Sequence, residues 1–138
     1  RRATNPKRTE DKIAMSHISK IELEVKDLGI LGQACSELGL ELIRNRKTFR
    51  WYGKEAPCDH AIKVPGAEYE IALTQRNDCY ELNCDFYDRN LEKKIGSKGG
   101  LLKQAYAVIK TRVEARKKGY SVLEQKTENS IKLHVRIS

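Results

Sequence analysis

The stretch that decides the fold is YEIALTQRNDCYELNCDF, residues 69–86. Apolar side chains recur at every second position on both sides of its centre: Tyr69, Ile71, Leu73, Tyr80, Leu82, Cys84 and Phe86. A period of two is typical of a strand with one buried face, and the central Asn77-Asp78 suits a tight turn. The stretch therefore predicts two antiparallel strands of a meander.

The pattern extends toward the N-terminus. Ile21, Leu23 and Val25 alternate with polar residues and predict a strand, after which Asp27 is a suitable N-cap for a helix that ends at Gly39. Residues 41–52 predict one long strand. A loop over Gly53–Asp59 and a short strand at His60–Val64 lead back to the central hairpin.

Toward the C-terminus, the charged, glycine-rich segment Asp88–Gly100 predicts a loop, and Leu101–Lys118 predicts a long helix that Gly119 ends. A last hairpin follows, with Ile131, Leu133, Val135 and Ile137 toward the core and Lys132, His134 and Arg136 outward. The predicted order is β-α-β-β-β-β-α-β-β. The predicted fold class is α+β, with a twisted, mainly antiparallel sheet and two helices packed on one face.

Length and composition place the chain among single-domain globular proteins. It has 138 residues, of which 39% are hydrophobic and 33% charged, so residues 16–138 are expected to form one domain behind a flexible basic arm, residues 1–15. No apolar run approaches the roughly 20 residues of a spanning helix, which excludes integral membrane insertion. The four cysteines are interpreted as reduced and intracellular, because a chain of this size does not need disulfides.

The charge predicts an acidic partner. The net charge is +8, from 27 Lys+Arg and 19 Asp+Glu. In the predicted strand 41–52, Arg44, Arg46 and Arg50 share a face, while Phe49 and Trp51 lie on the other. Lysines recur at seven-residue spacing on the long helix. The predicted partner-binding residues are Arg44, Arg46, Lys47, Arg50, Trp51, Tyr52, Lys98, Lys103, Lys110 and Lys117.

Catalytic and metal chemistry have weaker signals. Cys58-Asp59-His60 holds the parts of a thiol nucleophile, but neighbours in an extended chain point to opposite faces and cannot hydrogen-bond in series. Cys58 and His60 would share a strand face and are the weak metal candidates, although no Cys-x-x-Cys spacing occurs. Gly96–Gly100 with Lys98 could hold a phosphate at a helix start, but it lacks the Walker pattern and does not directly follow a strand, so a mobile loop that ends in a helix start is the favoured interpretation. We predict no catalytic residues and no cofactor.

Several strings together resemble a known family. They are Met15-Ser-His-Ile-Ser-Lys-Ile-Glu22, Thr48-Phe-Arg-Trp-Tyr-Gly53, Cys58-Asp-His-Ala-Ile-Lys-Val-Pro-Gly66, Tyr69-Glu-Ile71, Gly99-Gly-Leu-Leu-Lys-Gln-Ala-Tyr-Ala-Val108 and Ala115-Arg-Lys-Lys-Gly-Tyr120. The chain from Met15 to Ser138 resembles the uncharacterised family called hypothetical chloroplast reading frame 35, of cyanobacteria, other bacteria and red-lineage plastids. The resemblance implies a compartment, the plastid stroma or the thylakoid periphery (the cytoplasm in a bacterium), and it implies no reaction.

Three hypotheses follow. The first is a non-catalytic accessory or assembly factor, or a peripheral subunit, that docks by basic surfaces on an acidic protein surface of a large plastid complex, such as a photosynthetic one. The second is an RNA-binding module that uses the basic strand and the N-terminal arm. The third is a metal- or thiol-dependent enzyme centred on Cys58 and His60. The leader before Met15 is interpreted as a transit-peptide remnant, a functional arm or an added sequence.

Overall fold

The structure, a computed structural model, describes residues 18–126 and 131–136. These residues form the strands β1 (Ser19–Val25), β2 (Glu41–Ile43), β3 (Thr48–Trp51), β4 (Lys54–Pro57), β5 (His60–Lys63), β6 (Ile71–Arg76), β7 (Cys79–Cys84), β8 (Ser121–Lys126) and β9 (Ile131–Arg136). They also form the α-helices α1 (Leu28–Glu37), α2 (Arg89–Ile95) and α3 (Gly100–Lys117). The flexible arm predicted for residues 1–15 and the predicted core residue Ile137 lie outside the described residues.

The predicted central hairpin lies in the middle of the main sheet. Five antiparallel strands follow the order β1-β7-β6-β5-β2, and Arg76 pairs with Cys79 across the two-residue turn. Asn77 takes a positive φ of 56°, a conformation that asparagine tolerates better than most residues. The α+β class and the mainly antiparallel sheet are confirmed.

The two long helices cover the apolar side of this sheet. The Asp27 carboxylate accepts hydrogen bonds from the Gly29 and Ile30 N–H groups, and Gly39 follows α1 with φ 74°, so both predicted ends of this helix are confirmed. Helix α3 begins and ends within one residue of its predicted bounds. The side chains buried beneath both helices form a single core with the sheet: Ile21, Leu31, Cys35, Ile62, Leu73, Leu82, Leu102, Tyr106 and Ile109.

The prediction of one strand over residues 41–52 is wrong. Strand β2 pairs with β5 in the main sheet, whereas β3 pairs with β4 in a separate two-stranded sheet. Between them Asn45 and Lys47 have φ values of 62° and 74°, and left-handed residues interrupt an extended chain. The predicted loop Gly53–Asp59 is also wrong, because β4 lies within it. The basic residues of this region therefore do not share one strand face.

Two further predictions need correction. The segment predicted as a loop contains α2, whose N-cap Asp88 accepts hydrogen bonds from the Asn90 and Leu91 N–H groups. The last hairpin, β8–β9, forms its own two-stranded sheet, and Val135, predicted to face the core, is 44% exposed. Alternation identifies a buried face but does not specify the sheet to which a strand belongs. No helix in the described part of the chain is long and apolar enough to span a membrane.

A 3₁₀ turn, Ser97–Gly99, joins α2 to α3 at the edge of the core. Gly99 has φ 75°, and a Cβ built on it would lie 2.9 Å from Cγ2 of Ile21, which is fully buried in β1. The left-handed backbone and the close approach both require glycine here.

We expect Gly99→Ala to lower the free energy of unfolding by about 2–4 kcal/mol, because it adds overpacking to left-handed strain. The matched control is Gly119→Ala, which has φ 77° but no neighbour within 4 Å of its Cβ, so that strain alone should cost about 1 kcal/mol. Urea denaturation gives the free energy of unfolding of both variants. Equal losses of stability in the two would contradict the packing of the turn against β1.

Candidate functional site

Two arginines of the predicted basic strand contact a buried carboxylate from another part of the chain, Glu70. Glu70 is 1% exposed; its Oε2 accepts a hydrogen bond from Arg46 Nη1 at 2.8 Å, and its Oε1 accepts one from the Arg50 N–H at 2.7 Å. The Glu70 N–H donates to the Arg50 carbonyl at 2.9 Å. We call these three residues the Glu70 network. Since a buried carboxylate without a partner is strongly unfavourable, both arginines have a structural role.

Further contacts join the residues around β3 to the main sheet and its following loop. Arg50 Nε donates to the Glu68 carbonyl at 2.7 Å, and the indole Nε1 of Trp51 donates to buried Asp85 at 2.9 Å. The Tyr52 ring lies 5.1 Å from the Trp51 ring and 5.3 Å from that of Tyr69. The β3–β4 hairpin is thus held to the main sheet through its arginines and aromatic rings.

This arrangement divides the sequence-predicted partner-binding residues. Arg46 and Arg50 are committed to internal contacts, and Trp51 is 9% exposed. Arg44 and Lys47 are exposed, and Tyr52 is 44% exposed. In and just before α3, Lys98, Lys110 and Lys117 are exposed, and Lys103 is half-buried. The exposed basic residues near β3 and those of residues 89–118 therefore do not lie on one strand face.

We expect Arg46→Ala to lower the free energy of unfolding by about 2–4 kcal/mol, because it leaves the Glu70 carboxylate buried with only the Arg50 N–H. Arg44→Ala removes the same charge from an exposed position two residues away and should change stability by no more than about 0.5 kcal/mol. Denaturation in urea at pH 7 compares them. An unchanged free energy of unfolding in Arg46→Ala would mean that the buried Glu70 carboxylate does not need the Arg46 guanidinium.

Cys58 and His60 lie in different environments. Burial raises the pKa of the Cys58 thiol to about 11, and the nearby Asp59 charge acts in the same direction. His60 is 8% exposed; its Nδ1 accepts the Asn45 N–H at 2.8 Å, and burial lowers the pKa of its imidazole. The thiol therefore stays protonated at neutral pH, and the imidazole is neutral with its Nδ1 lone pair in use.

An open groove of about 570 Å³ lies beside Cys58, on the outer face of β6 and β7. Thr74 and Asn83 contribute to its floor, and Phe49 lines it from the β3–β4 hairpin. Asp59 also lines the groove, but one oxygen of its carboxylate accepts the Gln75 N–H at 2.7 Å. His60 does not line it. Across residues 18–126 and 131–136, no three His, Cys, Asp or Glu side chains are close enough to hold a metal ion.

We expect iodoacetamide to alkylate Cys58 about 100-fold more slowly at pH 7.5 in the folded protein than in the urea-unfolded chain. The reason is that a rise in pKa from 9.0 to about 11 lowers the thiolate fraction by that factor. Mass spectrometry of the Cys58 peptide gives the rate, and the rate should rise with pH up to about pH 11. Fast reaction of the folded protein would instead favour a thiol-dependent activity.

The strongest charge feature is the segment that forms α2 and α3. Residues 89–118 contain ten Lys+Arg and two Asp+Glu, a net charge of +8, whereas residues 18–88 contain nine and thirteen, a net charge of −4. Among the described residues, Arg112 is the only one of the ten in an ion pair, with Glu124 at 2.7 Å. We call residues 89–118 the basic helical segment. Its charge was readable from the sequence by counting each predicted element separately, a signal that the whole-chain total conceals.

Together, the fold and this charge distribution define a small α+β protein with a strongly basic helical segment. The model of a protein family of unknown function, DUF1257, matches residues 34–135, about three quarters of the chain. The chain belongs to this family, so the expectation of an uncharacterised family is confirmed. Comparison with curated proteins and with solved structures found no match.

Proposed function

We propose that this protein is a non-catalytic docking factor, either an accessory or assembly factor or a peripheral subunit, which binds an acidic surface of a larger protein complex. The observation that supports it is the separation of charge between the basic helical segment, at +8, and residues 18–88, at −4. A field of one sign on one side of a protein orients it during encounter and accelerates association with an oppositely charged surface.

Helix α3 presents the most regular part of this charge. Lys103, Lys110 and Lys117 are seven residues apart, so each lies on the same face about 10.5 Å along the axis from the next. Lys110 and Lys117 are exposed, and Lys103 is half-buried. A rod of evenly spaced cations fits an extended acidic surface better than it fits a small ligand.

The aromatic residues favour protein over single-stranded RNA. Recognition of unpaired bases uses exposed aromatic rings beside the basic groups, on which the bases stack. The basic helical segment contains one aromatic residue, Tyr106, which is 2% exposed. Two exposed tyrosines lie outside the segment: Tyr52 belongs to the β3–β4 hairpin and packs on Trp51 and Tyr69, and Tyr87, which is 71% exposed, lies two residues before Arg89. The RNA-binding alternative therefore retains phosphate attraction but has a single exposed ring beside this segment, where stacking of successive bases uses several.

The compartment is part of the proposal. The resemblance to the chloroplast reading frame family supports a plastid or cyanobacterial setting, with the partner on the stromal side of a photosynthetic or other large complex. In a bacterium the partner would be in the cytoplasm. The protonated thiol of Cys58 and the engaged Nδ1 of His60 support a non-catalytic role over a thiol-dependent one.

We expect Lys103→Glu/Lys110→Glu/Lys117→Glu to weaken binding to fluorescein-labelled poly-L-glutamate by at least about tenfold and to remove a complex that co-purifies with the wild-type chain. The control is Lys20→Glu/Lys54→Glu/Lys63→Glu, which makes the same charge change at exposed lysines of β1, β4 and β5 and should retain both. Fluorescence anisotropy at several salt concentrations gives the affinities.

Two outcomes would contradict the proposal. Equal losses in both triple variants would mean that net charge, and no particular surface, governs binding. Tighter binding of a short single-stranded RNA than of poly-L-glutamate at matched salt, lost in the helix variant, would favour the RNA-binding alternative.

A further inference from the structure

Among the described strands, those of the β8–β9 hairpin pair only with each other. Its strands pair in register from Ser121 with Arg136 to Lys126 with Ile131, and neither strand joins the main sheet. In the described part of the chain no strand pairs with the outer edge of β9. Isolated two-stranded sheets are only marginally stable in water, and such an edge presents a row of backbone donors and acceptors.

The two faces of β9 differ in chemistry. Ile131 lines a small cavity with Leu101, Ala105 and Ile109, so its face is turned toward α3. On that face Ile131 and Leu133 remain half-buried, and Val135 is 44% exposed, so α3 covers this apolar row incompletely. The other face carries exposed Lys132, His134 and Arg136. Neither Lys132 nor Arg136 is in an ion pair with a described residue, and β9 contains no acidic residue.

We propose that β9 accepts an extended strand of the partner, in which apolar residues alternate with Asp or Glu. The backbone of that strand pairs with the outer edge of β9. Its apolar side chains extend the row of Ile131, Leu133 and Val135 beside α3, and its carboxylates lie beside Lys132 and Arg136. This inference rests on the proposed function in taking the partner to be acidic, and it assigns the partner's recognition element.

Charge disfavours a second copy of the chain as the occupant. An antiparallel pair of β9 strands keeps both apolar rows on one face when Leu133 lies opposite its own copy. In that register Lys132 of one copy is a diagonal neighbour of Lys132 and Arg136 of the other, and neither strand has an acidic residue to balance them. Like charges across a sheet are destabilising, whereas a strand with acidic residues at these positions is stabilising.

The experiment uses the full chain and a fluorescein-labelled peptide, Gly-Glu-Val-Glu-Ile-Glu-Val-Gly. We expect saturable binding by fluorescence anisotropy and slower hydrogen exchange at the backbone amides of β9. Lys132→Glu/Arg136→Glu should weaken this binding by at least about tenfold, since two attractive cross-strand neighbours become repulsive. The same variant should gain binding to Gly-Lys-Val-Lys-Ile-Lys-Val-Gly. Leu123→Ser is the matched control, because Leu123 is 68% exposed on β8 and its loss should leave the affinity unchanged.

A peptide without backbone N–H donors distinguishes strand pairing from electrostatic attraction between the peptide and Lys132 and Arg136. An acidic peptide N-methylated at each Glu, Val and Ile keeps its charges but lacks N–H donors, so it should bind at least about tenfold more weakly. Equal binding of the two peptides would overturn strand addition. Self-association through β9, seen by sedimentation and lost in Lys132→Glu/Arg136→Glu, would overturn the acidic occupant in favour of a second copy.

The helix variant separates this inference from the proposed function. Lys103→Glu/Lys110→Glu/Lys117→Glu should lose poly-L-glutamate and keep the hydrogen-exchange protection of β9 by the peptide. If the helix variant kept its binding to poly-L-glutamate, the docking surface on α3 would be removed and the β9 site would stand. If the peptide gave β9 no protection while the wild-type chain still bound poly-L-glutamate through the helix lysines, the β9 site would be removed and the docking surface would stand.

Discussion

The buried carboxylate of Glu70 is the constraint on which the arrangement of this protein depends. A charged group that is 1% exposed needs ionic and hydrogen-bonding partners, and Arg46 and the backbone of Arg50 supply them. Both lie in the segment between β2 and β4, so satisfying the carboxylate attaches the β3–β4 hairpin to the main sheet. The same attachment carries Phe49 and Trp51 into the core and forms one wall of the groove beside Cys58.

This constraint also divides the basic residues into two groups with different roles. Arginines near residue 50 balance internal acids, in a part of the chain with net charge −4, and contribute mainly to stability. Cations of the basic helical segment have almost no ion-pair partners among the described residues, and Lys132 and Arg136 of β9 have none there. Charge that the fold leaves unbalanced is available to a partner, which is why the proposed docking surface lies on the helical side.

The two proposals describe complementary parts of one recognition surface. Evenly spaced cations on α3 provide long-range attraction that depends on salt and carries little positional information. The edge of β9 provides directional backbone hydrogen bonds and a partly covered apolar row, which are short-ranged and specific. A partner that used both would be steered by the first and held in register by the second. Neither requires an assembled catalytic group, in agreement with the protonated thiol of Cys58 and the engaged imidazole of His60.

The sequence by itself determined the α+β class, the central hairpin, both ends of α1 and the bounds of α3, because alternation, caps and turn residues act over a few neighbouring positions. It also contained the charge of the basic helical segment, although only a count by element reveals it. The tertiary structure alone decided that residues 41–52 turn at Asn45 and Lys47, that Arg46 and Arg50 face Glu70, and that β8–β9 stays outside the main sheet. These outcomes depend on contacts between residues well separated along the chain, such as Arg46 and Glu70, and a local pattern does not record which distant carboxylate an arginine will contact.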